Sequence, residues 1–158
     1  MKAPVIICVD DQREVLAALY EELDSIKGVR VVDCESADEA LEQIHELLDG
    51  GEWIALVVCD QIMPGTKGVE FLSYLKANQI VPGLKTVLLT GLATQEDTIR
   101  AINQARVSHY IAKPWDSEYL LKTVKSLLTE WILEAGLNHQ DYPDLIEPDT
   151  LYSLICGE

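Results

Sequence analysis

Residues 54–65 read IALVVCDQIMPG, a short apolar run rich in β-branched side chains that stops at Asp60 and is followed by a Pro64-Gly65 turn. Such a run bounded by turn residues reads as a strand. Working outward, four similar runs occupy residues 5–9, 29–34, 86–89 and 107–111. Each of the five is followed by a longer segment of helical period. Val15, Leu16, Leu19, Leu23 and Ile26 form the first stripe, and Leu41, Ile44, Leu47 and Leu48 the second. The second opens with Ser36 three residues before Glu39, the spacing of a capping box. Gly68 precedes a third helix with Val69, Leu72 and Leu75 turned inward, Thr94 caps a weak fourth carrying Ile99 and Ile102, and Asp116 caps the fifth and longest.

Strands that alternate with helices predict an α/β fold, because a parallel connection must be long and right-handed and so covers both faces of the sheet. With five strands the expectation is a doubly wound, flavodoxin-like parallel sheet in the order 2-1-3-4-5, an order taken over from known folds of this class. Parallelism puts every strand's carboxyl end on one edge, where ligands bind. The residues ending the strands are therefore decisive. The first run ends in Asp10 and Asp11, the third in Asp60 and the fourth in Thr90, while Lys113 lies two residues beyond the fifth.

A single aspartate after a strand is usually a turn residue or a helix cap. Three gathered at one edge repel one another and call for a cation. Oxygen donors with open coordination positions suit Mg²⁺, which keeps several waters and is completed by phosphate oxygens. A carboxylate nucleophile, a divalent ion and the Lys113 ammonium are the parts needed to attack a phosphoryl group and spread its developing charge. Thr90 adds a hydroxyl donor, and Gly91 leaves the approach open.

Asp10-Asp11, the Asp60-to-Gly65 segment followed by Gly68, Leu89-Thr90-Gly91 and Tyr110-Ile111-Ala112-Lys113-Pro114 together resemble the response-regulator receiver family of two-component signalling. The resemblance runs from Val5 to Ile132. It implies that Asp60 is the phosphoacceptor, that Asp11, Asp60 and the backbone carbonyl of Ile62 ligate Mg²⁺, and that Asp10 acts through a metal-bound water. It further implies that Thr90 and Tyr110 form a switch pair, that Lys113 contacts the phosphoryl group, and that the Lys113-Pro114 bond is cis. The implied partner is a sensor histidine kinase or a phosphotransfer protein, and the only turnover is of the chain's own acyl phosphate. Tyr110 also reads as an aromatic at the edge of the core, and Trp115 as a packing residue. Ile62 and Leu92, two residues past Asp60 and Thr90, flank the path of the hydrolytic water in the family and cannot orient it, so slow self-dephosphorylation is expected.

Other readings fit less well. A phosphatase of the haloacid dehalogenase type needs a second aspartate two residues after the nucleophile, where this chain has Ile62. A flavin-phosphate module needs hydroxyl and glycine donors in the first loop, where this chain has Asp10-Asp11-Gln12-Arg13. A degenerate receiver serving only as an interaction module would not need the complete acidic set.

Composition narrows the field further. Formal net charge is −15 over 158 residues, with no basic run, which argues against direct nucleic-acid binding. The first apolar run is too short for a membrane span or a signal peptide, so a cytoplasmic chain is expected. The four cysteines include no C-x-x-C pair and read as reduced thiols, and the three histidines are not spaced for zinc.

Two segments are expected: a receiver domain over residues 1–135, and a tail, or the truncated start of a following segment, over 136–158. The fifth helix carries Leu120, Leu121, Val124, Leu127, Leu128, Trp131 and Ile132, a stripe longer than a receiver needs. Its far end requires cover. Either the tail folds back, offering Leu145, Ile146, Leu151, Tyr152, Leu154 and Ile155, or a homodimer forms through the tail or through the face of the fourth helix, fifth strand and fifth helix.

Overall fold

The computed structural model describes residues 2–91, 99 and 103–157. Five strands, β1 (Val5–Val9), β2 (Arg30–Cys34), β3 (Ile54–Asp60), β4 (Lys85–Thr90) and β5 (His109–Ala112), form one sheet in the order β2-β1-β3-β4-β5. All four pairings are parallel. The helices are α1 (Arg13–Asp24), α2 (Ala37–Asp49), α3 (Gly68–Ala77), α4 (Ser117–Glu134) and α5 (Pro148–Ile155). Helix α4 is the one counted fifth in the sequence. Most of the expected fourth helix, with Thr94 and Ile102, lies outside the described residues, as does Leu92.

Alternate residues of β1 enter different cores, which is why the sheet needs cover on both faces. Val5, Ile7 and Val9 pack with Ile44 of α2 and Leu72 of α3. Ile6 and Cys8 pack with Leu19 of α1 and Leu128 of α4. Local signals set the helix starts. Ser36 Oγ accepts the Glu39 N–H at 3.1 Å, while Glu39 reaches back to the Glu35 N–H at 2.8 Å, one residue before the position expected of a capping box. Asp116 accepts the Tyr119 N–H at the start of α4. Cys8, Cys34 and Cys59 are buried free thiols; burial first, then neighbouring acids, push Cys8 and Cys34 up to about 12.

The segment after Gly136 folds back, and Trp131 is covered within the chain. Its ring lies 6.3 Å from that of Trp53, and its exposure is 7%. The covering residues differ from those expected. Leu145 is buried, Ile146 partly so, and Tyr142, not foreseen, is buried with its hydroxyl donating to the Lys2 carbonyl at 3.2 Å. Tyr152, Leu154 and Ile155 remain exposed. Two short 3₁₀ turns, His139–Asp141 and Pro143–Leu145, bend the chain so that Leu145 faces the core and α5 stands outside it. The buried Thr129 hydroxyl of α4 accepts the Glu147 N–H at 2.9 Å and fixes the entry to α5. Among the described residues, no helix is long and apolar enough to cross a membrane.

Candidate functional site

Parallel register carries Val9 opposite Cys34 and Cys59, Asp60 opposite Leu89, and Thr90 opposite Ala112. The residues following each strand therefore meet at one edge. The ladder continues into the loops: the Asp10 N–H donates to Cys34, the Gln61 N–H to Leu89 and the Lys113 N–H to Thr90, at 2.9–3.1 Å. Backbone pairing thus anchors Asp10 and Lys113 themselves and the residue that follows Asp60.

Asp10, Asp11 and Asp60 each offer a carboxylate oxygen within 4.8 Å of the other two. Lys113 Nζ lies 2.9 Å from Asp10 Oδ2 and 2.8 Å from Asp60 Oδ1. Asp10 is fully buried and Asp60 is 4% exposed, while Asp11 is partly open to solvent. Burial is the main force raising the Asp60 carboxyl above its ordinary value; the Lys113 hydrogen bond opposes it and Asp10 reinforces it. For Lys113 burial acts downward, but the bonds to Asp60 and Asp10 prevail and hold it above the ordinary lysine value. One ammonium against three carboxylates leaves two negative charges uncompensated in a shielded place. An oxygen-only donor set with that excess fits a hard divalent cation such as Mg²⁺.

The two buried aspartates are not equivalent. Both oxygens of Asp10 are engaged, Oδ1 by the Gln12 N–H at 2.9 Å and Oδ2 by Lys113. Among the described residues, Asp60 Oδ2 has no hydrogen-bond partner. It retains lone pairs for an incoming electrophile.

The remaining candidates fall around this edge. Thr90 is buried at the end of β4. Tyr110 turns outward, 43% exposed, and stacks on His109 with centroids 6.2 Å apart, so it is not a core aromatic. Ile62 follows Asp60 with its side chain 68% exposed, and its carbonyl accepts no hydrogen bond among the described residues. Lys113-Pro114 is cis. Trp115 packs against the core, and its indole N–H donates to Glu22. Among the described residues, nothing lies within 4 Å of a Cβ built on Gly91.

Two contacts went beyond the sequence reading, which named Gly68 only as a motif residue ahead of the third helix. Gln61 Oε1 accepts the Val69 N–H at 2.8 Å, capping α3 where Lys67 supplies no side-chain cap, and so ties the loop after Asp60 to that helix. Gly68 sits against the Asp60 carbonyl so closely that a Cβ there would overlap the backbone. A Gly68 just ahead of an apolar stripe was the available signal for the second; the first joins residues eight apart through a loop that no periodicity describes.

Comparison with known proteins agrees with this geometry. The chain is 31% identical over 140 residues to the hydrogenase transcriptional regulatory protein HoxA of Cupriavidus necator, covering 89% of this chain and 27% of that protein. It is 27% identical to the phosphate regulon transcriptional regulatory protein PhoB of Escherichia coli, covering 78% of this chain and 51% of PhoB. The chain thus spans from about a quarter to about half the length of these relatives. Among solved structures it resembles a CheY-like response regulator receiver domain protein from Methanospirillum hungatei, with 29% identity, a TM-score of 0.71 and coverage of 84% of this chain and 99% of that one. It also resembles the signal receiver domain of an HD domain-containing protein from Pseudomonas fluorescens, with 26% identity, a TM-score of 0.73 and coverage of 86% and 94%. A family model described as the response regulator receiver domain matches residues 6–125, a span that takes in the acidic edge and Lys113 together, and on that match the chain belongs to the response regulator receiver domain family.

Proposed function

We propose that the chain is the phosphoacceptor of a two-component phosphorelay, with Asp60 as the acceptor. The observation that carries this reading is the asymmetry between the buried aspartates: Asp10 has both oxygens occupied, whereas Asp60 Oδ2 is free among the described residues beside a fixed ammonium. Asp60 Oδ2 attacks phosphorus, its bond to the donor histidine nitrogen or donor oxygen breaks, and the donor departs with that electron pair. Lys113 is placed to follow the charge that moves onto the phosphoryl oxygens. Asp11, Asp60 and the Ile62 carbonyl would hold Mg²⁺, with Asp10 acting through its water; the ion supplies charge neutralisation at those same oxygens. The Thr90 hydroxyl donates to the acyl phosphate, and Tyr110 responds as the second member of the switch.

The phosphodonor is a sensor histidine kinase or phosphotransfer protein, and the chain turns over no substrate besides its own acyl phosphate. Exposed Ile62 offers nothing to orient water, so the acyl phosphate should be long-lived. The covered state of Trp131 removes one motive for dimerisation; the face carrying Tyr110 and Tyr119 retains exposed aromatic surface for a partner. Transcriptional regulation is said of the longer relatives, and nothing in this acidic segment favours a nucleic-acid contact of its own. We place the site of action in the cytoplasm, as the shortness of the first apolar run leads us to expect.

Incubation with acetyl phosphate and Mg²⁺, read by intact mass, should add one phosphoryl group to the chain and none to Asp60→Asn. Undiminished labelling of Asp60→Asn would overturn the assignment.

A further inference from the structure

At the opposite edge of the sheet from Asp60, a cavity of about 390 Å³ opens between the end of α3, the start of β4 and the end of α4. Its size suits a small molecule. Leu72, Leu75, Val81 and Ala105 give it apolar wall, while Lys76, Lys85 and Arg106 line it with positive charge. In a chain of net charge −15 this concentration of cations is unexpected. Lys85 forms an ion pair with Glu134, whereas among the described residues Lys76 and Arg106 have no such partner.

The backbone adds an independent observation. Helices α2, α3 and α4 end in the same hydrogen-bonded motif: the residue after the cap donates back three positions, and the next residue five. Gly51 and Glu52 close α2 in this way, Gln79 and Ile80 close α3, and Gly136 and Leu137 close α4, all at 2.9–3.1 Å. The motif needs a left-handed residue, for which glycine is the inexpensive choice. α2 and α4 use it, with φ of 77° and 75°, yet α3 uses Gln79 at φ 47°. The helical residues 103–105 likewise lead into Arg106 at φ 50°. These are the two non-glycine residues of positive φ among those described, and both line this cavity. Long polar side chains thus stand where the backbone favours none.

We propose that this cavity binds a small amphiphilic anion, its apolar body against Leu72, Leu75 and Val81 and its carboxylate or phosphate head against Lys76, Lys85 and Arg106. The test is an amide-resolved NMR titration of the full chain with octanoate, octyl phosphate, octanol and inorganic phosphate. Octanoate or octyl phosphate should shift Gly83, Lys85 and Arg106 saturably, the tighter of the two identifying the head group. Octanol and inorganic phosphate should bind at least tenfold more weakly. Lys76→Gln combined with Arg106→Gln should weaken binding at least tenfold. Arg106→Gly should also weaken it while raising the melting temperature, which separates lost binding from lost folding. The proposal fails if neither anion shifts these amides, if octanol binds as tightly, or if the double variant keeps its affinity.

Discussion

Two of the carboxylates nearly closed off from solvent respond in opposite directions. Asp60, at the carboxyl edge of the sheet, is held above its ordinary value; Glu147, at the start of α5, is held below it. Burial alone would raise both. Glu147 overcomes it by accepting the Thr150 hydroxyl at 2.9 Å and the N–H groups of Thr150 and Asp149 at 3.0 and 3.2 Å, at a helix N-terminus where negative charge is favoured. Asp60 shares one ammonium with Asp10 and stands beside Asp11. A carboxylate supplied with donors serves the fold. One left short of them, amid like charge, is poised to receive a cation and an electrophile.

Removing the shared ammonium should sharpen the contrast most. Lys113→Ala leaves Asp10 and Asp60 without a counter-charge, and we expect a loss of about 3–5 kcal/mol in urea unfolding without metal. Added Mg²⁺ should then restore more stability to the variant than to the parent chain. Equal midpoints for variant and parent would show that the acidic edge is not strained.

The second region depends on its apolar anchor. Leu145→Ala should cost about 2–4 kcal/mol, since this side chain is 1% exposed and fills the space beside Gly28. The exposed Leu154→Ala should change stability by about 0.5 kcal/mol or less. Similar losses at both positions would mean that α5 is held by more than its entry.

Gly68→Ala probes the acidic edge through its backbone. The new methyl group would meet the Asp60 carbonyl and force the loop outward, for an expected cost of about 1–3 kcal/mol in chemical unfolding and slower labelling by acetyl phosphate. Normal stability with normal labelling would show that the loop has room to spare.

The smallest effect concerns Glu147→Gln, for which we expect a loss of about 1 kcal/mol at neutral pH. The folded pKa of Glu147 lies below the ordinary value of 4.5, so its stabilisation is complete above that value and disappears as pH falls through the folded one. Melting curves of parent and variant should therefore converge on acidification below about pH 4.5. A gap that persists in acid would point to lost packing instead of lost charge.

Much of the fold was legible because it is written in local pattern. The apolar runs correspond to the five strands with shifts of no more than two residues at any end, and Ser36 and Asp116 cap the helices they precede. The aspartates could be assigned to one edge because parallel strands share a direction. The covering of Trp131 was less legible. Leu145 and Ile155 look alike as letters in an apolar, acidic stretch, yet one is 1% and the other 58% exposed. Pro143 and the turns around it decide which side chain faces inward, and a stretch with no regular period cannot announce that.

By itself the sequence determined the alternation of strands and helices, the gathering of Asp10, Asp11, Asp60, Thr90 and Lys113, and the charge imbalance that calls for a cation. These depend on residue type, order and strand direction, which any folded form must respect. Only the tertiary structure decided which aspartate has both oxygens engaged, how Gln61 and Gly68 hold the loop beside Asp60, and that Tyr142 and Leu145 close the far end of α4. Each of those is a contact between segments that the chain brings together only by folding, the hydroxyl of Tyr142 on the carbonyl of Lys2 spanning 140 residues. Spacing along the chain carries no record of such pairs; close packing selects them.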